Sequence, residues 1–247
     1  MSYNPYAAPQ VQVLAPPPPV GAPGEPRPWT ATEVLSVGWS RIKADGGALV
    51  VATFLAQGVA GLPANLPAGL KLLGILRERD AAYWPVFSIC SLVGFVLGVW
   101  LRGGQIKIWL DAARGRRVEV GDLFKGGEFF APILGAELLW YLASLVGFML
   151  LVVPGIYVSL GLSMCSTIVV DRRLGAMDSL RESWRLMNGQ RLGLFGFYLL
   201  GSLLAIGGLL ACFVGIMVVM PWLGVAATVI YLRISGQADA VTAAAGP

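Results

Sequence analysis

Glu137 is the residue of this chain with the most chemistry open to it. It lies eight residues into an apolar run covering 129–170, about 12 Å along a helix. A carboxylate at that depth has to be protonated, paired or facing water, so it marks a functional position by default. It could bind a cation or relay a proton; the plainer alternative is that it turns to the interface and pairs with an arginine. Gln57 is a second polar candidate inside an apolar stretch, suited to an interhelical hydrogen bond. Histidine is absent from all 247 residues, which removes the commonest metal ligand and general base. Cys90, Cys165 and Cys212 stand alone in separate apolar segments without metal-ligand spacing. No catalytic residue, metal site or cofactor is therefore predicted, and no phosphate-binding or dinucleotide motif is present.

The elements that position these residues follow from length. Residues 129–170 and 192–232 are apolar runs that as single helices would each extend about 60 Å against a hydrocarbon core of about 30 Å. Each must double back. Hydrophobic residues make up 56% of the chain and charged ones 13%, too few charges to cover a water-soluble surface. The predicted fold is an all-α polytopic membrane helix bundle of about six transmembrane helices, with two or three interfacial amphipathic helices. Spans are expected near 47–62, 84–101, 130–152, 156–170, 193–212 and 216–234. The first long run should break at Pro154-Gly155, and the second near Gly215 with Pro221 as a kink. Gly94 and Gly98 have the spacing that lets two helices approach closely. Residues 1–28 hold nine of the 16 prolines and read as a disordered tail without a signal-peptide pattern. Residues 236–247 read as a short tail of the same kind.

Charge sets the orientation. The net charge is +4 and the pI about 9.1, but the basic residues lie between apolar runs, so topology explains them better than nucleic acid. With these spans, 15 of the 18 lysines and arginines fall on one side. Only Lys71, Arg77 and Arg79 fall opposite, among Glu78 and Asp80. The excess predicts a cytoplasmic basic side with both termini there. Leu35, Trp39 and Ile42 recur as Leu180, Trp184 and Met187 at a constant offset of 145 residues. Each set gives a helix one apolar stripe and one charged face. Such helices suit the headgroup boundary, with Trp39 and Trp184 as anchors. A shorter copy at Val120, Leu123 and Phe124 would make the chain three units of one amphipathic helix and two spans. Arg114, Arg116, Arg117, Arg172, Arg173, Arg181 and Arg185 are candidates for binding anionic phospholipid headgroups.

The stretches Pro154-Gly-Ile-Tyr157, Ile168-Val-Val-Asp-Arg-Arg-Leu-Gly175 and Asp178-Ser-Leu-Arg-Glu-Ser-Trp184 carry a resemblance. So do Asp111-Ala-Ala-Arg-Gly-Arg-Arg117 and Gly121-Asp-Leu-Phe124. Across roughly residues 29–235 the chain resembles a large group of bacterial multi-pass inner-membrane proteins similar to the membrane domain of glycerophosphoryl diester phosphodiesterases. That resemblance implies a helical membrane bundle. The complete enzymes add a soluble barrel with acidic and histidine residues, and this chain departs from them in having neither barrel nor histidine. Hydrolase activity is thus not carried over. The expected function is a non-enzymatic protein of accessory or structural type, contacting the bilayer, anionic lipid and a protein partner or second copy. The alternative is a transporter or permeation pathway for a small or amphipathic solute, with Glu137 as its coupling residue. A lipid-active enzyme using carboxylates is a third. Single-cysteine labelling in a Cys-free background checks the topology. Positions 77–80 should react with an impermeant reagent from outside and positions 114–117 should not; the reverse pattern overturns the orientation.

Overall fold

A computed structural model describes residues 26–210 and 214–241, and all regular structure within them is helical. The elements are α1 (Ala31–Leu72), α2 (Tyr83–Ala113), a 3-10 segment (Val120–Phe129), α3 (Phe130–Leu150), α4 (Val152–Gly161), α5 (Cys165–Arg172), α6 (Ala176–Leu186), α7 (Arg191–Leu210) and α8 (Val214–Ile234). Six segments are long and apolar enough to cross a membrane, with α4 and α5 together making one. The all-α membrane bundle expected from the sequence is what the chain forms. The proline-rich stretch, apart from residues 26–28, and Cys212 lie outside the described residues.

Several boundaries differ from the sequence reading, each for a local reason. The first span does not stop at residue 62. It continues through Pro63 and Pro67 to Leu72, because a helix that contains proline still satisfies most backbone groups where an open loop in lipid would not. The amphipathic helix before it is not separate either. Both belong to α1, bent at Asp45 (φ −125°, ψ 22°), where the Asp45 carboxylate accepts from Arg41 at 2.9 Å. A capping box of Thr30 and Glu33 starts α1. Helix α2 runs twelve residues past its expected end at 101, since Ile106, Ile108 and Leu110 continue to bury apolar surface. The 3-10 segment lies across it so closely that a β-carbon on Gly104 would collide with the Leu123 carbonyl, and one on Gly103 would sit 2.7 Å from the Gly126 oxygen. Gly94 makes the tight crossing with α1, its added β-carbon 2.8 Å from the Ala60 oxygen, whereas Gly98 has ordinary clearance there.

The first hairpin turns at Leu151, in extended conformation, three residues before the expected Pro154. Proline sits instead in the first turn of α4, where its missing N–H costs nothing. A further interruption at residues 162–164 divides α4 from α5. Ser183 of α6 repairs it: its hydroxyl donates to the Gly161 carbonyl (3.0 Å) and accepts from the Met164 N–H (3.3 Å). Helix α7 ends at Leu210 and α8 begins at Val214, next to the expected break at Gly215, and Pro221 lies inside α8.

Burial divides the bundle along its length. Large exposed apolar side chains run along α1 beyond Val51, α2 up to Val96, α3 beyond Leu138, α4 as far as Tyr157, and α7 from Leu192 to Leu210. That exterior is favourable in lipid and unfavourable in water. Towards the basic end the pattern inverts, with Leu101, Ile108, Ile168, Val169, Ile230 and Leu232 almost inaccessible. Around this packed end lie the two amphipathic helices and the 3-10 segment. Their stripes face protein: Leu35 and Leu180 are 8% and 7% exposed, while Trp39 and Trp184 are both 40% exposed. Each receives an aromatic side chain from a neighbouring span. Trp222 lies 5.2 Å from Trp39, Trp100 lies 6.1 Å from Phe124, and Tyr157 lies 5.8 Å from Trp184 between ring centroids.

The ends of α2, α5 and α8 meet at Asp171, whose side chain is 1% exposed. Arg114, the residue closing α2, donates to one carboxylate oxygen. The other accepts from the Tyr231 hydroxyl (2.7 Å) and the Gln237 amide (2.8 Å). Gln237 was expected to lie in a loose tail. It is instead 8% exposed, and Asp239 is fully buried and accepts from Arg233 at 2.8 Å; residues 242–247 lie outside the described range. Asp171→Asn should cost about 3–5 kcal/mol, because it leaves the Arg114 charge buried without a counter-charge. Tyr231→Phe should cost about 1 kcal/mol. Thermal unfolding in detergent checks both, and equal effects of the two would refute the charge argument.

Candidate functional site

Glu137 is the carboxylate that the fold places among other polar groups at the junction of the two zones. Ala136, before it, is buried, and Leu138, after it, faces outward. Its Oε1 accepts from the Arg102 guanidinium at 2.5 Å and from the Ser166 hydroxyl at 3.3 Å. Helix α2 brings Arg102, α3 brings Glu137 and α5 brings Ser166. Arg102 was read from sequence as a loop charge after the second span. The structure keeps it in the helix, so the intramembrane acid acquires a base from the adjacent span.

The pair forms part of the wall of a cavity of about 460 Å³, bounded by Trp140, Tyr141, Ser159, Ser163 and Tyr198. Trp140 is fixed there by donating from Nε1 to the Ser159 carbonyl at 3.1 Å. A smaller cavity of about 190 Å³ also reaches Arg102 and Glu137, and contains Gln57 and Gln105. Gln57 and Glu137, selected separately in the sequence, thus line one space. The Gln105 amide nitrogen is buried and has no hydrogen-bond partner among the described residues. Glu137 side-chain exposure is 14% and that of Arg102 is 48%. A guanidinium left half open beside an apolar surface requires water or an anion next to it. Chemically, the site offers a carboxylate and a guanidinium a few ångströms apart, with hydroxyls and aromatic walls. Such a surface complements a dipolar or zwitterionic group joined to an apolar body.

The arginines considered for headgroup contact separate into two sets. Arg114 and Arg172 are turned inward, Arg114 to Asp171 and Arg172 to Glu182 (2.7 Å). Arg116, Arg117, Arg173, Arg181 and Arg185 remain on the exterior, with Arg116 near Asp111 at 3.3 Å and Arg173 near Glu128 at 3.2 Å. Arg181 and Asp178, and Arg185 and Glu182, form i, i+3 pairs at 3.8 and 2.6 Å. The Arg185 hydrogen bond, followed by the charges of Arg185 and Arg172, holds the Glu182 carboxyl below the usual carboxylate range. Trp39 and Trp184 sit at the same junction, half exposed. Two groups escaped the sequence reading: the Asp171 cluster, whose members are distant in sequence, and Arg191, counted there only as a loop charge. Arg191 is 8% exposed and lies between the Tyr157 and Trp184 rings, 3.9 and 4.0 Å from their centroids.

Six apolar helices with a lipid-compatible exterior make this a multi-pass helical membrane protein. The chain is 27% identical to an uncharacterized protein of Mycobacterium tuberculosis, over 89% of its own length and 74% of the relative's. An uncharacterized protein of Mycobacterium bovis has the same identity and coverage. No protein-family profile matches the chain, and no solved structure matches it.

Glu137→Gln removes the counter-charge of Arg102 and should destabilise the protein by about 1–2 kcal/mol, a figure reduced because Arg102 is half exposed. With Arg102→Gln added, the double-mutant cycle should give a favourable coupling energy. Additive effects of the two substitutions would mean that the pair does not form.

Proposed function

We propose that the protein is a non-enzymatic, multi-pass protein of the bacterial inner membrane that admits a small amphipathic molecule to the cavity at Arg102 and Glu137. The cavity is the observation that supports this reading over a purely structural one. A bundle built only for packing has no use for about 460 Å³ of open space beside a half-exposed charge pair. Its aromatic and leucine side chains suit a hydrocarbon body, and the ion pair suits a polar head that carries both signs or a strong dipole. Among the described residues Glu137 is the only carboxylate on that lining, which favours binding or permeation over hydrolysis by paired acids. The concentration of basic residues at one end supports an orientation with that end and both termini in the cytoplasm.

An accessory role in contact with anionic lipid is the second reading. The outward-facing Arg117, Arg173, Arg181 and Arg185 favour it. The two are compatible, since a binding protein of the inner membrane also needs a place to rest on its headgroups. We further propose that the chain falls within the group resembling the glycerophosphoryl diester phosphodiesterase membrane domain. It would then be three related units, each opening with one of the segments that form a collar around the packed basic end. The matching exposures of Leu35 with Leu180 and Trp39 with Trp184 support such a repeat.

Cysteine accessibility in liposomes tests the cavity. In a Cys-free background, Ser163→Cys should react readily with a water-soluble methanethiosulfonate, because a thiol must ionise to react. Leu145→Cys, on the apolar exterior, should be inert. Equal inertness of the two positions would make the cavity dry and sink the reading. Ser163→Trp should fill the space and remove any co-purifying amphiphile seen by native mass spectrometry.

A further inference from the structure

Arg191 is the first residue of α7 and is buried to 8% exposure. Among the described residues no carboxylate forms an ion pair with it, and its Nε has no hydrogen-bond partner. The Tyr157 and Trp184 rings orient the guanidinium, but an aromatic face does not neutralise a charge. A buried cation without an anion is costly. The position therefore lacks a negative partner that the described residues do not supply.

Two neighbouring features specify that partner. The first-turn N–H groups of α7 have no acceptor within the helix, the first intrahelical bond running from the Leu194 N–H to the Gln190 carbonyl. They add the positive end of a 20-residue helix to the arginine charge. Gly189 turns the chain into this helix at φ +78°, and Trp29 holds Gln190 by a 2.9 Å hydrogen bond, so the turn is fixed on both sides. Beside Arg191 opens a groove of about 500 Å³ between α4 and α7, walled by Val153, Ile156, Leu160, Leu192 and Phe195. Only the Arg191 end of it is charged.

We propose that this is a phospholipid site: Arg191 and the first turn of α7 hold the phosphate, and an acyl chain lies in the groove between α4 and α7. A guanidinium pairs with phosphate through two parallel hydrogen bonds, and a phospholipid joins that group to a chain of the kind that the walls accept. A free phosphate would satisfy the arginine and leave the groove empty. The site has different polar groups from the Arg102–Glu137 cavity, with which it shares only Leu160 as lining, and it does not depend on that cavity's function.

The experiment is native mass spectrometry of the full chain, delipidated in detergent and titrated with dioleoylphosphatidylglycerol. The wild-type protein should take up one lipid tightly. Arg191→Gln should weaken that first binding by about tenfold or more, the scale of a lost charge-assisted hydrogen bond, and Arg191→Lys by less. Ile156→Trp, which leaves the arginine intact and blocks the groove, should weaken it as well, and keeps the test valid if Arg191→Gln fails to fold. Ser163→Trp should leave the lipid bound, which separates failure here from failure of the cavity. Unchanged first binding in Arg191→Gln or Ile156→Trp would overturn the proposal. Displacement of the lipid by millimolar inorganic phosphate would also overturn it, by assigning the site to a free anion.

Discussion

The carboxylate of Asp171 is the fixed point of this molecule. It is withdrawn from solvent and accepts from Arg114, Tyr231 and Gln237. Those donors belong to the end of α2 and to α8 with the residues that follow it, while the acceptor belongs to α5. Three elements that lipid would allow to slide past one another are thereby tied at a single depth. Apolar packing alone gives little preference for one register among helices in a membrane, because lipid tails compete on equal terms with leucine. A buried charge network is satisfied in one arrangement only.

From that point outward the molecule is arranged as a ring. Each of the three surface segments at the basic end leans on an aromatic side chain from a span: Trp39 on Trp222, Phe124 on Trp100, Trp184 on Tyr157. The same collar supplies the groups that repair weaknesses in the spans, as Ser183 does at the interruption between α4 and α5. Both candidate binding regions lie where the collar gives way to lipid-facing helices. At this boundary an arginine can be partly dehydrated without being carried into hydrocarbon, and a molecule with one polar and one apolar end finds both environments within reach.

The amino-acid sequence makes the large-scale design legible because lipid imposes simple rules on it. Apolar run length gives the number of crossings, and the offset of 145 residues finds two collar helices whose matched positions have nearly the same exposure. Glu137 and Gln57 stand out as polar residues in apolar surroundings, and they do line one cavity. What escapes is decided by distant partners. Arg102 looks like the first charge of a loop until Ile106, Ile108 and Leu110 are seen to continue its helix. Gln237 and Asp239 carry no pattern that separates a tail from a packed terminus; they are held by distant or earlier residues, Asp171 and Arg114 for Gln237 and Arg233 for Asp239. The Gly103-Gly104 pair is readable as a thin place on a helix, yet nothing local says that the Gly126 backbone fills it.

Helix α1 passes through both zones without a break in the chain, bent only at Asp45. Its upper length stands among exposed apolar side chains, and its lower length is fastened by Trp39 against Trp222 and by Glu33 to Arg233. A change of slope in the upper arm cannot be absorbed in a flexible linker, for there is none. It must be taken up at the Asp45 elbow or passed down to the tryptophan contact, so α1 works as a lever whose pivot is a single residue.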